Sequence, residues 1–227
     1  MPTIPSARKW YPDSDPVHGF DHVLRVYRLA ERIAAAEDAD LEIVRAAALL
    51  HDASGDLQTP DPDESTTGDS QPQTPEEQRA NHHHASASFA RQVLQVEGWP
   101  EDRITAVEHC IRAHRFRDNR EPPESLEAKV LFDADKLDAI GAIGAARAIG
   151  YAVQAGQPIF EQPSIGFLER GEKEPGEAHS SYHEYVFKLS KLKDRLFTPT
   201  GRAIAEGRHR FLVEYYRRLA AEIAGEE

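Results

Sequence analysis

Apolar side chains recur along most of this chain at three- and four-residue steps, the spacing that lines up one face of an α-helix. Residues 17–36 carry Val23, Val26, Leu29, Ala30 and Ile33 in that register, with Asp15-Pro16 as a start signal. Residues 41–50 are apolar nearly all round, through Ile43, Val44, Ala46, Ala47, Leu49 and Leu50, which is the pattern of a buried helix. That run ends directly on His51-Asp52. Helical signals resume at Thr74-Pro75-Glu76-Glu77, an N-cap followed by proline at the first helical position and acids in the first turn. They continue through Phe89, Val93 and Leu94 until Gly98-Trp99-Pro100 stops them. Residues 101–114 place Ile104, Val107 and Ile111 on one face, and a polar connection over 115–123 follows. A long helix is predicted over 126–154, with Gly141, Gly144, Ala145 and Ala148 as a small-residue stripe. Each glycine inside a helix costs about 1 kcal/mol relative to alanine, so close approach of a neighbouring backbone is the expected compensation. Two more helices, 178–197 and 200–223, flank a turn at Thr198-Pro199-Thr200-Gly201. No segment alternates with period two between hairpin turns, and no repeat occurs at solenoid periods. The expectation is an all-α bundle, one domain over residues 1–227.

Two stretches break the pattern. Residues 56–78 hold four prolines, seven acidic residues, no Lys or Arg, and Leu57 as the only large apolar side chain. Such a segment cannot bury a core and is expected to be a mobile loop. Residues 157–177, rich in Gly, Pro and Glu, read as an irregular connection.

Composition narrows the function classes. With 227 residues, 40% of them hydrophobic, the chain can bury a real core. Its formal net charge of -12 repels phosphate backbones, which argues against duplex nucleic acid as a partner. Seven of those net charges belong to residues 56–78, so the rest of the chain carries only -5. Cys110 is the single cysteine, which excludes an internal disulfide framework or a Cys-rich zinc site and fits a reduced compartment. The opening MPTIPSARKWYPDSDP has no apolar core of signal-peptide length, and residues 139–156 are interrupted by Arg147 and glycines. A cytoplasmic protein without a membrane span is expected. Against this background the eleven histidines stand out.

The strongest anomaly is Ala46-Ala47-Ala48-Leu49-Leu50-His51-Asp52, two ionisable residues at the end of a buried run. Such groups are costly to bury unless paired or bound to a metal. For the dipeptide alone, the plain reading is a satisfied histidine with Asp52 as a helix C-terminal or turn residue, and it is the context that changes this. Upstream, His18 and His22 lie one helical turn apart. Downstream, Asp133, Asp135 and Asp138 accompany Lys136 in an otherwise apolar helix. A solvated face would account for Asp133 or Asp138, while one of the three is expected to point inward. A histidine helix, an HD pair and a later aspartate together supply nitrogen and oxygen ligands suited to Mn, Fe, Ni, Co or Zn rather than a thiolate-loving metal.

The stretches HGFDHVLRVYRLA, AAALLHDASGD, HRF and KVLFDADKLDAIGAIGAAR resemble the HD-domain metal phosphohydrolases, specifically a subgroup of small bacterial and archaeal members. The tail FKLSKLKDRLFTPTGRAIAEGRHRFL is similar to that subgroup as well. The resemblance implies an HD-domain helical bundle with additional C-terminal helices. It implies metal ligands at His22, His51, Asp52 and Asp135, the last preferred to Asp133 because the resembling pattern puts the ligand in the Ala-Asp before Lys136. Mn is the first expectation for the ion, with Mg, Co, Ni, Fe or Zn as alternatives. Some members hydrolyse nucleoside triphosphates to the monophosphate and pyrophosphate. His84 and His114 fall where histidine-rich relatives keep extra site residues; the plain alternative is a solvated or core histidine. His82 and His83 are expected on the surface, since three consecutive helix positions point in three directions. His109, His179, His183 and His209 receive no site role.

Phosphate-ester and phosphoanhydride cleavage needs an activated water and neutralised phosphate charge. Asp56 is the candidate for orienting or deprotonating the water, or else simply opens the acidic loop. Lys136 and Arg115 are candidates for phosphate binding, and His18 for donating to a terminal phosphate, each with a salt-bridge or surface role as its alternative. No glycine-rich phosphate loop occurs, because the GAIGAAR glycines do not follow a strand. The expected partner is a phosphorylated small molecule, a nucleotide, and the amphipathic C-terminal helices offer a surface for a homodimer. Competing readings are an HD-type di-iron oxygenase and a non-catalytic nucleotide-binding module.

Overall fold

The computed structural model describes residues 1–11, 19–53, 75–115 and 121–226, with residues 75–81 described by backbone alone. Among them every regular element is a helix, as the hydrophobic spacing requires. None is long and apolar enough to cross a membrane. The chain falls into two compact units, Met1–Phe132 and Asp133–Glu227.

The first unit opens with α1 (Ile4–Ala7) and a 3-10 turn, Arg8–Trp10, neither of which the spacing predicts. It continues with α2 (Phe20–Glu37), α3 (Leu41–Leu50), α4 (Pro75–Val96), α5 (Glu101–Ala113) and the start of α6 (Leu126–Asp138). Helix α3 is the axis of the unit, and α2, α4 and α5 all pack on it. Ile43, Val44 and every residue from Ala46 to Leu50 are no more than 9% exposed, so the C-terminal half of α3 has no solvent face, while Glu42 and Arg45 near its start reach solvent. Its start is fixed by Asp40, which accepts from the backbone N–H groups of Glu42 (3.0 Å) and Ile43 (3.2 Å). Arg103 on α5 grips the same carboxylate through two nitrogens at 2.9 and 3.1 Å, and this bond foremost holds the Asp40 carboxyl below the usual range. The Asp40 N–H donates to Glu127 on α6 at 3.0 Å. One N-cap thereby joins three helices.

The second unit contains the end of α6, α7 (Gly141–Gln154), α8 (Ile165–Arg170), α9 (Ser181–Phe187), a 3-10 segment (Leu189–Arg195) and α10 (Pro199–Ala224). Helix α10 packs on α7 and on the 3-10 segment, and α7 on α9. The helix expected over 126–154 is therefore two helices. Ile140 is extended (φ −128°, ψ 166°) and Gly141 takes φ +80°, a conformation that favours glycine. A Cβ at Gly141 would lie 2.9 Å from Cγ of Arg208, and one at Gly144 would run into the Ala139 carbonyl. The glycines thus serve a tight corner, not a straight packed helix. The helix expected over 178–197 likewise splits into α9 and the 3-10 segment, and α8 forms inside the connection read as irregular.

Two acids of α6 need correcting. Asp133 and Asp138 are 0% and 2% exposed, so neither lies on a solvated face. Asp138 is paired with Arg147 at 2.8 Å. Asp133 accepts from the Phe197 N–H (2.9 Å), the Thr198 N–H (2.7 Å) and the Thr198 hydroxyl (2.6 Å). Thr198 is also the N-cap of α10, its Oγ1 accepting from Gly201 N–H at 2.9 Å. A Cβ on Gly201 would collide with the Asp133 carboxylate. His183, given no role from the sequence, is fully buried between Glu177 (3.0 Å) and the Ser180 hydroxyl (2.8 Å), where it ties down the end of the connection.

Asp133→Ala leaves three buried donors without their acceptor and is expected to cost about 3 kcal/mol or more in urea unfolding. Thr198→Val, which removes one donor and the N-cap, is expected to cost about 1–2 kcal/mol. An Asp133→Ala protein as stable as the wild type would show that this clamp does not hold α10.

Candidate metal centre

The buried run of α3 delivers His51 as its C-cap residue, still helical at φ −63° and ψ −32°, with Asp52 next. His51 is fully buried, and its Nδ1 lies 2.9 Å from the Ala48 carbonyl oxygen. A carbonyl only accepts, so Nδ1 carries the proton and Nε2 presents its lone pair. The end of α5 repeats the device. His114 is its C-cap residue, 2% exposed, with Nδ1 2.5 Å from the Ile111 carbonyl. In each case an imidazole takes up a carbonyl that the last turn of a helix leaves unpaired, and the same bond aims the other nitrogen.

Both lone pairs face Asp52. Nε2 of His51 is 3.5 Å from Oδ2, which His22 Nε2 approaches to 3.8 Å from the first turn of α2. Nε2 of His114 is 3.5 Å from Oδ1, and His82 Nε2 from α4 is 3.0 Å from that oxygen. The His51 ring is 5.5 Å from that of His22 and 5.2 Å from that of His114. Burial pushes the Asp52 carboxyl up, but His51 foremost, then His114 and His82, outweigh it and hold the group well below the carboxylate range. An ionised carboxylate ringed by imidazoles is the donor set that a borderline divalent cation takes. Separations of 3.5–3.8 Å are too long for hydrogen bonds. Two atoms that each lie about 2.1 Å from one ion are separated by about 3–4 Å. The donor set fits the group.

His82 differs from its neighbours. Arg115, which cannot accept, holds His82 Nδ1 at 2.6 Å, so the proton sits on Nε2 and is donated to Asp52. Asp52, His82 and His114 each offer a ligand atom within 4.8 Å of the others, yet Arg115 leaves His82 a donor. His82 is therefore half-buried and bonded to Asp52, a role that the expectation of a surface residue did not give it. His84, the histidine singled out there, is exposed, with its ring 4.1 Å from that of His83. Burial, followed by the charges of His84, His114 and His82, brings His83 down to about 4. Arg115 reaches His82, and Lys136 lies 2.6 Å from Asp135 on α6, in the second unit. His18 and Asp56 lie outside the described residues.

Two further side chains reach the HD turn, and no pattern in the sequence marks them. The Tyr11 hydroxyl donates to the Leu49 carbonyl at 2.9 Å, and Ser86 Oγ on α4 donates to the Ala53 carbonyl at 2.9 Å. Burial foremost, then the Asp52 charge, pushes the Tyr11 phenol well above its usual value, so it stays a donor.

The family model for the HD domain matches residues 19–140, from the residue before α2 through the corner after α6. The uncharacterised protein YpgQ of Bacillus subtilis (strain 168) is 33% identical over 216 residues, which cover 94% of this chain and 88% of YpgQ. The crystal structure of B. subtilis YpgQ in complex with ADP matches with a TM-score of 0.67 at 31% identity, covering 99% of this chain and 100% of that one. An HD-superfamily hydrolase from Bacillus thuringiensis matches with a TM-score of 0.63 at 26% identity, covering 91% and 87%.

Imidazole nitrogens bind a metal only when deprotonated, so protons compete with the ion for them. Divalent-metal affinity, measured by calorimetric titration, is expected to weaken on acidification and to be lost in His51→Ala; an affinity unchanged by either would overturn the assigned donor set.

Proposed function

The chain belongs to the HD-domain family, and from that premise we propose that it is a divalent-metal-dependent phosphohydrolase acting on a nucleotide. The bond cleaved is the one that releases pyrophosphate from a nucleoside triphosphate and leaves the monophosphate. The observation that carries this reading is the pair of helix-end histidines, His51 and His114, whose anchored rings turn Nε2 toward the two oxygens of Asp52. The ADP bound to YpgQ supports a nucleotide ligand.

In this proposal His22, His51, Asp52 and Asp135 hold the ion, Mn first among the candidates. A divalent cation supplies Lewis acidity, which polarises a phosphoryl oxygen and acidifies water. The chain's own groups do the rest. The Ala48 carbonyl keeps His51 in the tautomer protonated on Nδ1, so no proton has to leave Nε2 before a ligand bond forms, and the Ile111 carbonyl holds His114 in the same way. His82, with its proton fixed on Nε2 by Arg115, keeps Asp52 oriented. Arg115 and Lys136 are assigned to positive charge for the phosphates, and His84 and His114 to substrate contact, on the sequence pattern. His18 and Asp56 are assigned to phosphate contact and water orientation on the sequence pattern alone.

A two-metal oxygenase is the second reading, favoured by the placement of imidazoles on both oxygens of Asp52. The Arg115 bond to His82 counts against it, because it keeps a proton on the nitrogen a second ion would need. Metal analysis of untreated protein separates the two: two tightly bound irons per chain would favour oxygen chemistry.

With Mn, Mg, Co or Ni and a panel of nucleoside triphosphates, phosphorus NMR is expected to show pyrophosphate and monophosphate as products. His51→Ala and Asp52→Ala are each expected to cut turnover more than about 100-fold, beyond the range typical of outer-shell partners. Orthophosphate as the product would move the cleavage to a terminal phosphate, and turnover that survives both substitutions would overturn the assigned centre.

A further inference from the structure

The last four carbonyls of an α-helix have no partner within the helix, and whatever satisfies them also fixes the direction of the residues that follow. At the end of α3 three of the partners are identifiable. The Ala48 carbonyl accepts from His51 Nδ1 (2.9 Å), the Leu49 carbonyl from the Tyr11 hydroxyl (2.9 Å), and the Leu50 carbonyl from the Ala53 N–H (3.2 Å). Two of these come from the HD turn itself. Only Tyr11 comes from elsewhere in the chain, 38 residues upstream of Leu49. It is 6% exposed, and its ring lies 5.5 Å from that of Phe20, two residues before His22 on α2. Arg8 touches both residues, its guanidinium 5.4 Å from the Phe20 ring and its Nη1 donating to the Tyr11 carbonyl at 3.2 Å. Tyr11 therefore touches the start of the helix that carries His22 and the end of the helix that carries His51. It does so from outside residues 19–140, the part matched by the HD-domain family.

We propose that Tyr11 is a positioning residue for the metal centre: its hydroxyl locks the last turn of α3 and so fixes where His51 and Asp52 point. This rests on the reading of His22, His51 and Asp52 as the metal-holding set. Tyr11 touches neither ion nor substrate and acts through the Leu49 carbonyl. Without the hydroxyl that carbonyl loses its partner, the turn relaxes, and the bond from His51 Nδ1 to Ala48 loosens with it.

The test is Tyr11→Phe, which keeps the ring against Phe20 and removes one oxygen. Tyr216→Phe is the control. Tyr216 is 1% exposed and donates to the Ser181 carbonyl at 3.2 Å within the second unit, so the control removes the same kind of buried bond. Tyr11→Phe is expected to weaken Mn binding about tenfold, in the range for outer-shell partners. It is also expected to shift the nitrogen-15 signals of the His51 ring in metal-free protein. Tyr216→Phe is expected to lower thermal stability comparably and to leave both readouts at the wild-type values. Unchanged His51 signals in Tyr11→Phe, or equal effects from the two variants, would overturn the proposal. The ring signals need no metal and no substrate, so they are readable even if no nucleotide is turned over, and the two readings fail separately.

Discussion

A carboxylate placed at the end of a helix whose last turns are buried on every side must be compensated, and the compensation of Asp52 organises the first unit. Helix α3 cannot turn its end toward water without exposing the Ala46–Leu50 run, so partners have to be brought to it. They come from three other helices: His22 from α2, His82 from α4 and His114 from α5. The packing of α2, α4 and α5 around α3 and the assembly of the centre are the same event.

The other buried acids show why Asp52 is different in kind. Asp133 has three donors, two of them backbone N–H groups, and Asp138 has a guanidinium. Glu177 accepts from the N–H and hydroxyl of Ser164, the N–H of Glu174 and the ring of His183, and is brought down to about 2, the Ser164 N–H contributing most. Each of these carboxylates meets groups that have protons to give, which is the signature of a structural acid. Asp52 has one donor, His82, and two neighbouring imidazoles whose Nδ1 atoms are turned to carbonyls, so that their Nε2 atoms sit beside it as ligand atoms at separations too long for hydrogen bonds. A cation bound there would add its binding free energy to folding stability.

How legible this was in the sequence depends on the range of the interaction. Helix α3 ends where expected because Asp40, the apolar run and the HD pair are all local signals. His51 and Asp52 were legible for the same reason, being two charges where a buried helix stops. His82 was not, since His82, His83 and His84 are equivalent by pattern and only the placement of α4 against the end of α3 selects one. Tyr11 carried no local signal at all, because its partner is a backbone carbonyl 38 positions away. The corner at Gly141 was misread since the residues that allow a sharp turn, two glycines among alanines, also allow close packing of a straight helix.

Net charge, finally, misleads when it is taken as a property of the whole surface. Of the -12, residues 56–78 account for seven negative charges, and charges more than about 8 Å apart are largely screened at physiological ionic strength. What an approaching phosphate meets is therefore set by the groups within that distance of Asp52. There Asp52 is flanked by four imidazoles and by a guanidinium, Arg115, bonded to one of them. A divalent ion bound there would add two positive charges locally although the chain is acidic. An acidic chain can thus discriminate against long polyanions, whose many phosphates meet the overall charge, while admitting a short one to a site where only the local charge counts.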